Sequence, residues 1–143
     1  MSGPVALVAG KGYVIPAGYI GSRLAVISGI DLKAIGAPGV TPIYTPPAGQ
    51  TAIYTAAYME ITAGPAATPA TGGLGIASGE SDVFAPVSFT GVLVVGQVWA
   101  FLSNGLSRTG PGTPTTTISY GNDVAATGAG AVTGRLHLFG FLF

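Results

Sequence analysis

One histidine, His137, and five carboxylates, Asp31, Glu60, Glu80, Asp82 and Asp123, are the groups from which acid–base or metal chemistry would have to be built. An imidazole can move a proton near neutral pH. In Leu136-His137-Leu138-Phe139, however, His137 sits in an apolar run and reads as a packed, hydrogen-bonded side chain. A nucleophilic serine would need a base and an orienting acid, and the Gly-x-Ser-x-Gly elbow is absent. Glu80 and Asp82, in Ser78-Gly79-Glu80-Ser81-Asp82, could offer oxygens to Ca2+. Their spacing is not that of an EF-hand, and a solvated turn is the simpler reading. Sugar hydrolysis needs two carboxyl groups facing across a cleft, and nothing in the order of the five pairs any two that way. Gly73-Leu74-Gly75 and Gly128-Ala129-Gly130 lack the elements that must follow in a phosphate-binding loop. Trp99 and the six tyrosines could line a glycan groove, but core and interface packing suit them equally. No catalytic, cofactor-binding or metal-ligating residue is assigned, and the chain reads as non-enzymatic.

Composition points the same way. Only 7% of the 143 residues are charged, against about 25% in ordinary soluble domains. Five basic and five acidic residues cancel, so the basic face that nucleic acid demands is missing. With a mean hydropathy of +0.60, the surface is expected to face other protein, because large apolar patches mark interaction sites. There is no cysteine, which removes disulfides, thiolate metal sites and cysteine nucleophiles. Met1 to Gly10 lacks the basic and long apolar regions of a secretory signal. Val87 to Leu106 is a 20-residue uncharged stretch. It carries Ser88, Thr90, Gly91, Gly96, Gln97, Ser103 and Asn104 and no basic flank, so no membrane span is expected.

The 24 glycines and 11 prolines break the chain too often for long helices. Between them lie short runs rich in Val, Ile, Thr, Tyr and Phe, the pattern of an all-β sandwich or barrel. Strands are expected at Thr51–Thr62, Gly73–Ala77, Val83–Phe89, Val92–Leu102, Thr115–Tyr120 and Ala131–Phe143. In the first, strict alternation would put Ile53, Thr55, Ala57, Met59 and Ile61 on one face and Tyr54, Tyr58 and Glu60 on the other. Gly96 would be a bulge or close-packing point within Val92–Leu102. Asn104-Gly105 is a hairpin signal between Phe101-Leu102-Ser103 and Leu106-Ser107. The last strand places Val132, Gly134, Leu136, Leu138, Gly140 and Leu142 on one face and Arg135, His137, Phe139, Phe141 and Phe143 on the other. Both faces are apolar near the end, so this strand should be central or covered on both sides. Pro16-Ala17-Gly18 and Pro47-Ala48-Gly49 read as tight turns. Gly29–Gly39 reads as a loop or one helical turn. Residues 1–40 are expected to form an arm or small added β element, and residues 41–143 the sandwich.

The run Ile43-Tyr44-Thr45-Pro46-Pro47-Ala48-Gly49-Gln50-Thr51-Ala52-Ile53-Tyr54 resembles the opening hairpin of small jelly-roll structural proteins of tailed bacteriophages. The closing run Val132-Thr133-Gly134-Arg135-Leu136-His137-Leu138-Phe139-Gly140-Phe141-Leu142 resembles their last strand. Asp82-Val83-Phe84 and Trp99-Ala100-Phe101 fall where such proteins carry middle strands. The resemblance spans about residues 41–143 and implies an antiparallel jelly-roll-like β-sandwich in a head decoration (cement) protein. It implies a homo-oligomer, with a trimer favoured, on the outside of the virion, its partner the major capsid protein. Neither nucleic acid, membrane nor cofactor is called for. A fiber, receptor-binding or adhesin-type module is the alternative. An outer-membrane barrel, suggested by the alternation of Phe139, Phe141 and Phe143, fits the prolines and the missing export signal less well.

Overall fold

The computed structural model describes residues 21–35, 40–76, 82–90, 92–103, 108–109 and 117–143. These form ten strands and, among the described residues, no helix: β1 (Ser22–Asp31), β2 (Val40–Tyr44), β3 (Ala52–Ala63), β4 (Thr71–Gly75), β5 (Phe84–Ser88), β6 (Val98–Ala100), β7 (Leu102–Ser103), β8 (Arg108–Thr109), β9 (Ile118–Val124) and β10 (Thr133–Leu142). They make two antiparallel five-stranded sheets. The first runs β1-β10-β3-β6, with β8 also on β3; the second runs β2-β9-β4-β5-β7. The chain is all-β, a β-sandwich. No helix of the described residues is long and apolar enough to cross a membrane.

Alternation explains the core. On β10, Gly134, Leu136, Leu138 and Gly140 are buried while Arg135, His137, Phe139 and Phe141 are half-buried on the outward side. Met59 and Ile61 of β3 and Ile30 of β1 join them from the first sheet, and Leu74, Phe84, Ile118 and Tyr120 close from the second. Removing that apolar surface from water is the main stabilising term. Phe89–Phe101 and Phe101–Tyr120 meet edge-on, with centroids 5.9 and 6.1 Å apart. As expected, β10 is central, lying between β1 and β3.

Several elements differ from the sequence expectation. β1 comes from the stretch read as an arm or small added β element outside the sandwich, and it pairs with β10 from Ser22↔Gly140 to Asp31↔Thr133. The sandwich therefore includes residues from 22 on, and Pro16-Ala17-Gly18 lies outside the described residues. Gly29 and Ile30 belong to β1, not to a loop. On β3 the two faces exchange part-way. Phe139 faces Ala56 but Gly140 faces Tyr54, leaving Thr55 as the extra residue of a bulge. Tyr54 thus enters the core with Ala57, Met59 and Ile61, whereas Ile53 is only half-buried. Val92–Leu102 is not one strand: Val95-Gly96 is a turn, with Gly96 at φ +97°, and pairing begins at Val98. Asn104–Ser107 lies outside the described residues, and the flanking β7 and β8 pair with β5 and β3 in different sheets. Pro47-Ala48-Gly49 is a turn as expected, closed by Gln50 N donating to Pro47 O at 3.0 Å with Gly49 at φ +79°. Leu142, which shares a face with Leu136 and Leu138 by alternation, is exposed where β10 runs off the end of the core.

Candidate interaction surface

The outward face of the β1-β10-β3-β6 sheet brings two of the polar candidates, Glu60 and His137, together with Arg135. In the β10–β3 register, Arg135 lies opposite Glu60 and His137 opposite Tyr58. In the β1–β10 register, Val26 lies opposite His137 and Arg23 opposite Phe139. Directly opposed residues share a face, so Glu60, Arg135 and His137 converge. Arg135 Nη1 donates to Glu60 Oε1 at 3.2 Å, and His137 Nε2 meets the same oxygen at 3.1 Å. Arg135 Nε donates to Ser28 Oγ on β1 at 3.1 Å, tying three strands together. The hydrogen bond from His137, and then the Arg135 charge, hold the Glu60 carboxyl below its ordinary value; partial burial works against them. Beside this cluster the face is largely apolar, with exposed Arg23 on the edge strand β1. Tyr58 and Phe139 meet edge-to-face at 5.9 Å, Phe141 and Ile53 are half-buried, and Val26 is exposed.

This arrangement joins a base, an acid and a cation, but Ser28, the hydroxyl beside them, is occupied by Arg135. What the geometry provides is a mutually neutralised ion cluster set in an aromatic and aliphatic surface. His137 is, as read from its neighbours, a hydrogen-bonded and largely covered side chain.

The remaining candidates are dispersed. Asp82 Oδ1 accepts from Ile76 N at 2.8 Å, closing the β4–β5 connection, and Glu80 lies outside the described residues. Asp31 Oδ1 accepts from Lys33 N at 2.9 Å, and Asp123 is exposed on β9. Among the described residues no three His, Cys, Asp or Glu side chains are grouped to hold a metal ion. Trp99 lies opposite Met59, whose side chain is in the core, and packs on Phe89 with centroids 5.9 Å apart. Its indole N–H is shielded and has no hydrogen-bond partner. It is a packing residue at the sheet edge and does not line an outward groove.

Two features escaped the sequence. Tyr120 Oη donates to Asn122 Oδ1 at 2.6 Å, and Asn122 Nδ2 donates to the carbonyls of Asp31 and Ala34 at 2.8 and 2.6 Å. This network locks β9 to the end of β1. The second is the Val94–Gln97 turn, pinned to β3 by Gly96 N→Ile61 O and Ile61 N→Gln97 O at 2.9 and 2.8 Å. It displays Val94 and Val95 to solvent, with exposed Val92 just before it. Glycine at position 96 was the available signal, since the turn needs its positive φ.

Compared with known proteins, the chain matches no protein family, no curated protein sequence and no solved structure.

Proposed function

We propose that this chain is a virion structural protein, a decoration or cement protein that binds and stabilises a phage head through protein–protein packing and performs no chemistry. The observation that carries the proposal is the strand order. With the two-residue β7 and β8 set aside, β1–β6, β9 and β10 number one to eight, and the sheets run 1-8-3-6 and 2-7-4-5. That order supports reading the sandwich as a jelly roll, two interlocked Greek keys, an architecture used in viral capsid domains. Fold does not by itself fix function, so surface chemistry has to agree. A charge content of 7% and an outward sheet face bearing Phe139, Phe141, Tyr58 and Val26 suit a chain that works while packed against protein.

The deciding experiment is the copy number in purified particles, by quantitative mass spectrometry against the major capsid protein. A count comparable with the shell protein is the expected result. A few copies per particle would instead favour the fiber reading, and absence from particles would refute a virion role.

A further inference from the structure

We infer that two copies of this chain join edge to edge through β1, pairing antiparallel about a two-fold axis at Ile27, with Arg23 of each copy against Asp31 of the other. The inference goes beyond the decoration reading, which concerns the shell, and does not rest on it.

A strand at the edge of a sheet presents a row of backbone N–H and C=O groups that can take up another strand. Among the described residues, β1 is the long edge. It has ten residues, Ser22-Arg23-Leu24-Ala25-Val26-Ile27-Ser28-Gly29-Ile30-Asp31, with neither proline nor lysine to obstruct pairing. β10 lies on one side of it, and on the other there is no strand among the described residues. The far edge of the same sheet is made by the three-residue β6 and the two-residue β8. The second sheet ends in β2, which carries Pro42, and in the two-residue β7.

The side chains of β1 say which strand fits it. Arg23 lies opposite Phe139, Val26 opposite His137 and Asp31 opposite Thr133, all on the outward side, and Ser28 meets Arg135 there. Ala25, Ile27 and Ile30 lie opposite the buried Leu138, Leu136 and Gly134. The outward positions 23, 26, 28 and 31 are therefore symmetric about Ile27. Laid antiparallel against a copy of itself with Ile27 on the axis, β1 sets Arg23 against Asp31 and Val26 against Ser28, outward against outward. Ile27 then meets Ile27 on the inward side. A slip of one residue would set outward side chains against inward ones.

The charges are complementary at that register and unmet without it. Arg23 and Asp31 are both exposed. The ion pairs among the described residues join Glu60 to Arg135 and to His137, and involve neither. Asp31 Oδ1 accepts from Lys33 N, but the Lys33 ammonium is engaged by the carbonyls of Gly128 and Gly130. A two-fold axis makes the Arg23–Asp31 contact twice. The irregularities of β1 also favour a copy over an unrelated strand. A bulge twists an edge away from a strand that has nothing to match it. β1 shifts register on both sides of Ile27, between Arg23 and Ala25 and between Ile27 and Ile30. In the pair, the first shift of one copy lies beside the second of the other. The two outward faces then run on as one face, which the pairing leaves uncovered.

The test is sedimentation equilibrium on the full chain at about 100 μM, a concentration that reveals even weak self-association. Three variants accompany it: Arg23→Asp, Asp31→Arg and the double variant that swaps the two charges. Circular dichroism and the denaturation midpoint verify that each is folded. Arg23→Asp alters an exposed side chain only, so it stays informative if loss of the Lys33 N acceptor unfolds Asp31→Arg. The wild-type chain should be a dimer. Each single reversal should weaken it by roughly tenfold, because two attractive contacts become repulsive. The double variant should recover wild-type association to within about threefold. A wild-type monomer would overturn the inference, as would a trimer, whose three-fold axis cannot pair a strand with itself. So would a folded Arg23→Asp that dimerises like wild type, or a folded double variant no tighter than the singles. Shell binding by a wild-type monomer would overturn the inference and leave the decoration reading standing. A dimer that follows the charge swap, in a chain absent from particles, would do the reverse.

Discussion

Replacing Asn122 with alanine should destabilise the fold by more than its exposure or size suggests, because the side chain satisfies three groups at once. It accepts from the Tyr120 hydroxyl and donates to the carbonyls of Asp31 and Ala34. Tyr120 is 0% exposed, so in Asn122→Ala its hydroxyl loses its partner without gaining water; that costs about 1–3 kcal/mol. The two carbonyls lie at a part-buried turn and recover water, losing roughly 0.5 kcal/mol each. The total, about 2–4 kcal/mol, is a large part of the ~5–15 kcal/mol that holds a domain together. Burial, and secondarily the Asp123 charge, push the Tyr120 hydroxyl far above its ordinary pKa. A raised pKa keeps the protonated form favoured in the fold, so its contribution is full below about pH 10 and is lost only above that. Urea denaturation at pH 7 therefore measures the donor alone. In Tyr120→Phe the donor is absent, and adding Asn122→Ala no longer strands a hydroxyl. The double variant should lose about 1–2 kcal/mol less than the sum of the singles. Additivity within about 0.5 kcal/mol, or a loss under ~1 kcal/mol for Asn122→Ala at unchanged m-value, would refute the account.

The Glu60 carboxyl is depressed chiefly by the His137 hydrogen bond, so its contribution is present above the unfolded carboxylate pKa of about 4.3 and is lost as pH falls through the lower folded value. Wild type should exceed Glu60→Gln in denaturation midpoint at pH 7, and the gap should narrow as pH falls below the unfolded carboxylate range; a gap that does not narrow on acidification would exclude this linkage. Gly140→Ala would drive a methyl group into the Ile53 carbonyl oxygen, a backbone atom that cannot swing aside. It should cost about 1–3 kcal/mol or more. Gly130→Ala meets open space and should lie within about 0.5 kcal/mol of wild type, so equal melting temperatures for the two variants would contradict the packing described.

Fold class and most strand positions were legible because they depend on local pattern. The aliphatic and aromatic runs between Gly and Pro gave β3, β4, β5 and β10 to within a few residues, and Pro47-Ala48-Gly49 gave its turn. The errors arose where a single residue changes the count. Alternation assumes an unbroken period of two, so one bulge at Thr55 was enough to exchange Ile53 and Tyr54 between solvent side and core. Val92–Leu102 is rich in strand formers, yet the backbone hydrogen bonds of Gly96 and Gln97 with Ile61 turn it into a pinned loop. β1 falls in residues 1–40, which read as an arm or a small added β element, and its alternation is interrupted by two register shifts, between Arg23 and Ala25 and between Ile27 and Ile30. Glu60, Arg135 and His137 could not be joined from sequence, since their meeting depends on the register of strands some 75 residues apart.

The bulges also explain why the outward face has the character it does. On β1 the pairing slips between Arg23 and Ala25, and on β3 it slips between Tyr54 and Ala56. Both slips lie against the same short stretch of β10, Leu138-Phe139-Gly140. A bulge bends its strand and increases local twist, and two of them flanking one strand press its backbone from both sides. A β-carbon at Gly140 would meet the Ile53 carbonyl on one side and Leu24 Cδ1 on the other. Glycine is the residue that permits that approach, and the alternation around it sends Phe139 and Phe141 outward together. The Phe-Gly-Phe run is thus a packing requirement on the inward side of β10 and an aromatic pair on its outward side. A chain adapted to solvate this face could keep the glycine and place polar residues on either side of it. Two phenylalanines there leave apolar surface on the sheet's outward side, which is the character that the proposed packing against protein calls for.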